Sequence, residues 1–288
     1  MKRNRKRALV LILILLGASI LIGGSCGYIL YYRPLIKYEE ASRLFSEKQY
    51  DEAIARFNEL DGFRDSENLI AQAEEGIKEE KYKAANALYE NGSDNRAIQL
   101  LQEISDYKNS NDLIEEIDKA YFEKLKSVFS KIYIGYMADK ELTSSVEFVL
   151  ERVGSVGGGS EYLATYNLYR GEEYHSLWGL IFDSQYADAV VRLLDISNEN
   201  IEHLELAVIA AKDPPEKYNS LYNQLNEAYE FYVDYHSFAA SETSSSYSVY
   251  AAENASKEKP LADKIERLKN ENAEFNALIS YLDSLFTE

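Results

Sequence analysis

Cysteine, proline, tryptophan and histidine are all scarce in this 288-residue chain, which has one Cys, four Pro, one Trp and three His. The single cysteine, Cys26, lies inside an uncharged run, so the remainder has no disulfide to staple it and no thiolate to serve as nucleophile or ligand. It must hold together by packing. His175, His203 and His236 are widely separated, and none forms a His-x-x-x-His or His-Glu-x-x-His pair that would set two ligands on one helical face. No metal or cofactor is expected. There is no Gly-x-Ser-x-Gly elbow either, so a nucleophilic hydrolase has no visible nucleophile.

Positive charge is also short. Lys and Arg total 31 against 49 Asp and Glu, for a net charge of −18. Lys2, Arg3, Arg5, Lys6, Arg7 and Arg33 all precede the first acid, Glu39, so the body after Arg33 is six charges more acidic than the whole chain. Such a polyanion is repelled by phosphate backbones, which excludes nucleic acid as a partner and leaves basic proteins or a solvated surface. Few prolines and a Leu/Ile/Tyr/Ala/Glu-rich texture predict helix almost throughout. The fold class expected is all-α.

What the chain does have, first, is a 25-residue uncharged run from Ala8 to Tyr32, preceded by five basic residues among six. As a helix rising about 1.5 Å per residue, residues 8–32 are long enough to cross a hydrocarbon core of about 30 Å. Basic flanks stay on the cytoplasmic side, so the body is expected outside the cell membrane, with Tyr28, Tyr31 and Tyr32 forming an outer headgroup belt. A cleaved signal peptide is the rival reading, since Gly23-Gly24-Ser25 supplies small residues before Cys26. Lipidation at Cys26 would want an aliphatic residue where Gly23 stands, and apolar character continues through Ile29 and Leu30, so an uncleaved signal-anchor is the expectation. Ser19, Gly23 and Gly27 recur every four residues and would let two spans approach as a homodimer, but the general enrichment of glycine in membrane helices is the favoured account of them.

Second, the chain contains an internal repeat. Shifted by 44 residues, Tyr38–Ile70 aligns with Tyr82–Ile114 without a gap. Identical pairs include Tyr38/Tyr82, Ala41/Ala85, Leu44/Leu88, Ala53/Ala97, Ile54/Ile98, Ser66/Ser110 and Leu69/Leu113. Ala41, Leu44 and Phe45 make one apolar stripe and Ala53, Ile54, Phe57 and Leu60 another, separated by a turn at Lys48 to Tyr50, which predicts an αα-hairpin. Asp65-Ser66 and Asn109-Ser110 offer oxygens to cap the next helix.

Those residues, Tyr50-Asp51-Glu52-Ala53-Ile54 with Phe57, Leu60 and Phe63-Arg64-Asp65-Ser66, and again Ala97-Ile98, Leu101, Ile104 and Tyr107-Lys108-Asn109-Ser110, resemble tetratricopeptide-like repeats of Gram-positive cell-envelope proteins. About eighty residues carry the likeness; the period exceeds the usual 34, and the repeat-ending proline is missing. The resemblance implies peptide or protein binding in a repeat groove. Repeat arrays generally need about three units, so the helical segment from Ile117 is expected to act as the third.

Beyond the repeats, Tyr121, Leu125, Val128, Phe129, Ile132 and Tyr136 keep helical spacing, as do Val146, Val149, Leu150 and Val153, until Gly154 to Ser160 breaks the chain as a flexible loop. Further helices are predicted over 172–182, 185–194, 200–211, 215–240 and 261–286. Pro214-Pro215 is a start signal, and Tyr218, Leu221, Tyr222, Leu225, Tyr229, Tyr232 and His236 form a stripe. On the last helix, Leu261, Ile265, Leu268, Asn272, Phe275, Ile279, Leu282 and Phe286 alternate by four and three, a seam with Asn272 as its polar register residue. These last two helices should pack as a long antiparallel hairpin. The expected organisation is a tail and span over 1–33, repeats over 34–118 and a helical bundle over 119–288.

The 24 tyrosines divide between core stripes and a candidate interaction surface at Tyr162, Tyr166, Tyr169, Tyr174 and Trp178, beside the glycine loop. The function these features favour is a membrane-anchored interaction or scaffold module without catalysis. The alternative is an envelope hydrolase or wall-polymer-binding protein using paired carboxylates near Trp178, with Asp183 the first acid to inspect. A cytoplasmic body is the third reading, against the charge bias.

Overall fold

The structure is a computed structural model that describes residues 31–156, 187–241 and 247–286. Among the described residues it is all-α, with nine α-helices and no strand. They are α1 (Arg33–Ser46), α2 (Tyr50–Asn58), α3 (Ser66–Glu90), α4 (Asp94–Gln102), α5 (Ser110–Val156), α6 (Ala187–Ala210), α7 (Asn219–Ala239), α8 (Tyr247–Glu271) and α9 (Ala273–Phe286). None of the described helices is long and apolar enough to cross a membrane. The run read as the span lies outside the described residues except for Tyr31 and Tyr32.

Contacts divide the chain into two compact units, one formed by residues up to Ala87 with Gln99–Asn111, the other by Leu88–Ile98 with everything from Asp112. In the first, α1 and α2 form the predicted hairpin. Ala41 and Ala53, both fully buried, let the two helices approach, and Leu44, Phe57 and Leu60 fill the space around them. The turn holds Lys48 at φ 61°, and the matching turn of the second copy places Gly92 at φ 75°. Position 92 therefore uses the residue that pays no Cβ penalty there, whereas Lys48 accepts it.

The helices after each copy begin at Ser66 and Ser110, where the sequence places their caps, but the predicted oxygens are used otherwise. Asp65 accepts a hydrogen bond from the Tyr38 hydroxyl instead of capping α3, and the Ser66 hydroxyl is buried without a partner. Ser110 donates to the Tyr107 carbonyl. The last part of one copy and the first helix of the next are fused into the single 25-residue α3.

In the second unit α5 is one 47-residue helix, not two, and it continues through Gly154 to Val156. Its buried positions Leu125, Phe129, Ile132, Tyr136, Leu142 and Val146 face α6 to α9 in two apolar clusters. α6 likewise merges two predicted helices into one. A 3-10 turn at Glu216–Tyr218 follows Pro215 before α7 begins. α7 and α8 are antiparallel: Lys257 pairs with Asp234 at 2.7 Å and Lys264 with Glu227, so one register descends as the other climbs.

The predicted C-terminal helix is divided at Asn272. Its Oδ1 accepts hydrogen bonds from the backbone N–H of Glu274 at 3.0 Å and Phe275 at 3.2 Å, so it caps α9 rather than setting register inside a continuous seam. The apolar seam itself is present, with Leu261, Ile265, Leu268, Phe275, Ile279 and Leu282 all buried. Replacing Asn272 by Ala removes both acceptances and is expected to cost about 1 kcal/mol. Urea denaturation of N272A against the parent chain checks this, and an unchanged midpoint contradicts the capping role.

Candidate functional site

The duplicated residues of the repeat recur as duplicated bonds. Lys37 reaches Glu59 at 2.5 Å and Lys81 reaches Glu103 at 2.6 Å. The Tyr38 hydroxyl donates to Asp65 at 2.5 Å and that of Tyr82 to Asn109 at 2.7 Å. Ser42 and Asn86 donate to the carbonyls of Tyr38 and Tyr82, each at 2.8 Å. Gln49 N–H closes on the Leu44 carbonyl at 2.9 Å, and Ser93 N–H on that of Leu88 at 2.8 Å. Exposed ion pairs of this kind contribute little individually. Their recurrence fixes the geometry of each copy.

Each copy also holds a cation against two rings. The Arg64 guanidinium lies 5.1 Å from the Tyr38 ring and 5.6 Å from that of Phe63. The Lys108 ammonium lies 5.1 Å from both Tyr82 and Tyr107. Arg64 and Lys108 share a positive φ, 56° and 46°, which turns each side chain back over its rings. Around these clasps the copies differ: Glu79 accepts from both Lys108 and the Tyr107 hydroxyl, whereas Leu35 occupies the corresponding place ahead of the first copy. Lys108, Tyr107 and Lys83 hold the Glu79 carboxyl down to about 2. A lowered carboxyl contributes stability above its ordinary value near 4.5 and loses it as pH falls toward 2.

The second unit contains a buried polar cluster that sequence spacing did not reveal. Asp139 of α5 and Ser197 of α6 are fully buried, and His236 of α7 is nearly so. The Ser197 hydroxyl donates to Asp139 Oδ1 at 2.5 Å. With that proton committed, His236 Nδ1 must be the donor to Ser197 Oγ at 2.9 Å and Asp139 Oδ2 at 3.2 Å. Serine, aspartate and histidine are thus together but not in a relay. In a nucleophilic triad the serine gives its proton to one imidazole nitrogen while aspartate holds the other. Here both partners crowd the same nitrogen, the serine proton points at the carboxylate, and Ser197 is fully buried. The cluster ties three helices together.

One turn away, Gly135 lets α6 and α7 come close to α5. A Cβ built there would stand 2.2 Å from the Tyr232 hydroxyl and 2.6 Å from the Asn200 amide nitrogen. Asn200 uses the gap to donate to the Lys131 carbonyl at 2.7 Å. Thr143 Oγ1 and the Tyr235 hydroxyl share a bond of 2.9 Å next along the helix. The signal was legible in retrospect: Leu125, Phe129, Ile132, Tyr136, Asp139, Thr143, Val146 and Leu150 alternate by four and three, so Asp139 and Thr143 are polar residues on a core seam.

Tyrosines build much of this core. Tyr121, Tyr232 and Tyr235 are fully buried, and Tyr121 donates to the Ala211 carbonyl at 2.5 Å. Burial pushes the hydroxyls of Tyr121, Tyr133, Tyr232, Tyr235 and Tyr250 well above their ordinary 10.0. An unfolded chain would release these protons above pH 10 while the folded one keeps them, so their contribution is full below pH 10 and is lost as pH rises past it. Alkaline titration followed at the tyrosinate absorbance should show an early wave from exposed rings and a late cooperative wave coincident with loss of helical signal. A single non-cooperative wave with helicity intact contradicts this.

Tyr162, Tyr166, Tyr169, Tyr174 and Trp178, read as an interaction surface, lie outside the described residues, as do Asp183, His175, Cys26 and the Ser19/Gly23/Gly27 stripe. His203 is exposed on α6. Among the described residues no group of three or more metal-ligating side chains converges. No family model, curated protein or solved structure matches the chain.

Proposed function

We propose that the chain is a membrane-anchored, extracytoplasmic helical-repeat protein that acts as an interaction or scaffold module, with residues 8–32 as its signal-anchor. The observation that carries this reading is the 44-residue duplication: what recurs between the copies is turn geometry, small-residue packing and surface clasps. A repeat selected for packing presents a surface and not a reaction centre. That pattern agrees with the tetratricopeptide-like resemblance and its implication of peptide or protein binding. The Ser197 cluster does not weigh against this reading, because its hydroxyl is buried and its proton is committed to Asp139.

The net charge of −18 favours a basic partner. Binding of such a partner should weaken as salt rises from about 50 to 500 mM, because exposed charges are screened over about 10 Å at 0.1 M ionic strength. Salt-independent binding would remove the electrostatic part of the proposal. Topology is tested by adding protease to intact cells. The body should be digested while the first residues are protected, and a fully protected body would overturn the extracytoplasmic placement.

A further inference from the structure

The two copies of the repeat act as an internal control on each other, and they part company at one edge. Just ahead of the second copy, Glu75, Glu79 and Glu80 lie in the middle of α3; the same 44-residue shift puts Tyr31, Leu35 and Ile36 at those places just ahead of the first. Three carboxylates have become three apolar side chains. Tyr31 and Ile36 are 53% and 54% exposed, and Tyr32 beside them is 60% exposed. The Tyr31 ring meets Phe63 edge-on at 6.0 Å, joining the loop before α3 to the same edge. Arg64, whose counterpart Lys108 is paired with Glu79, has Leu35 in place of that carboxylate and makes no ion pair among the described residues.

An outer edge of a repeat array normally carries polar residues, since nothing stacks upon it. This edge instead displays exposed apolar and aromatic groups with an adjacent cation, so something of matching chemistry covers it. We propose that the first copy lies directly on the membrane, with Tyr31, Tyr32, Leu35, Ile36, Phe63 and Arg64 seated in the phospholipid headgroup layer. The inference rests on the reading of residues 8–32 as a span. Tyr32 is the last residue of the uncharged run and already has helical backbone angles, φ −69° and ψ −43°, with no side-chain cap before α1. At about 1.5 Å per residue, Ile36 stands about 6 Å beyond Tyr32 and Glu39 about 10 Å. The headgroup layer on each side of the core is about 5–7 Å deep. Ile36 therefore falls within it, and the first acid falls just outside. Tyrosine rings suit that zone, and a guanidinium at Arg64 meets lipid phosphate in place of the missing glutamate.

The test uses the full chain, with Cys26 replaced by Ser, reconstituted in vesicles of phosphatidylcholine and phosphatidylglycerol. A fluorophore is placed singly at Ile36→Cys, Arg64→Cys or Glu47→Cys, the last at the far end of α1. Flotation after alkaline carbonate treatment reports the span, and quenching by a headgroup-attached nitroxide lipid reports contact. The expected result is a chain that floats, with labels at 36 and 64 quenched at least about threefold more than the label at 47. A chain that floats while all three labels are quenched alike overturns the headgroup seating alone. A chain that does not float overturns the span and this inference together. Tyr31→Glu, Leu35→Glu and Ile36→Glu combined install the residues that stand just ahead of the second copy, which its helix already tolerates; the floating variant should lose the quenching at 64. Unchanged quenching there would contradict the role of these side chains.

Discussion

Substituting Gly135 by Ala is expected to destabilise the second unit by about 3 kcal/mol, at the upper end of the range for overpacking a filled core. The added methyl would stand 2.2 Å from the Tyr232 oxygen and 2.4 Å from its ring carbon, distances no relaxed structure holds. Tyr232 is fully buried, so its ring has no solvent to swing into. Either α7 moves away from α5, or the Asn200 bond to the Lys131 carbonyl breaks. Gly76 in the first unit provides the contrast. There a Cβ would stand 2.6 Å from the Tyr50 ring, but that ring is only partly buried and can turn outward, so Gly76→Ala should cost about 1 kcal/mol. Equilibrium urea unfolding of both variants checks the pair. Equal small effects would contradict the close three-helix approach at Gly135.

Replacing His236 by Leu should cost about 3–5 kcal/mol, because it leaves the fully buried Asp139 carboxylate with Ser197 as the remaining donor of its cluster. Asp139→Asn removes the charge that the histidine answers. Combining D139N with H236L should therefore cost clearly less than the sum of the two single changes, by about 1 kcal/mol or more. Chemical denaturation of the two single variants and the double gives the coupling directly. Strict additivity would mean that the imidazole and the carboxylate do not act as one unit. Each change is large against the roughly 5–15 kcal/mol that holds a typical domain folded.

How far the sequence was legible follows from what each residue type announces. The repeat was readable because its packing positions recur: Ala41 and Ala85, or Ala53 and Ala97, are buried in both copies at the same register. The all-α class followed from the same periodicity. The start of α3 at Ser66 was readable, but its continuation from the end of one copy into the first helix of the next was not, because no Gly-Pro or turn signal marks the join either way; nor was the bond that takes Asp65 to Tyr38. Asn272 carried the opposite ambiguity. A lone Asn on a seam suits a register device or a cap, and the backbone N–H groups of Glu274 and Phe275 decide for the cap. The Asp139 cluster was missed because its members sit 58 and 97 residues apart, with no local motif. Its one trace was polarity at Asp139 and Thr143 on an otherwise apolar four-three pattern. The tyrosine stripe packs on the core, with Tyr232 fully buried and Tyr218, Tyr222 and Tyr229 partly so, and Tyr235, off that stripe, is core as well; the group from Tyr162 to Trp178 lies outside the described residues.

The central claim, that the repeat copies present a surface for a protein partner outside the cell membrane, is tested most directly by photocrosslinking in intact cells. A benzophenone amino acid is placed at Glu52 or at Arg96, equivalent exposed positions of the two copies, with Tyr281 on α9, 61% exposed, as the control. The predicted result is one basic protein captured from both repeat positions, released by raised salt before irradiation, and absent from the α9 control. No adduct from either repeat position, or the same set of adducts from Tyr281, would contradict the claim.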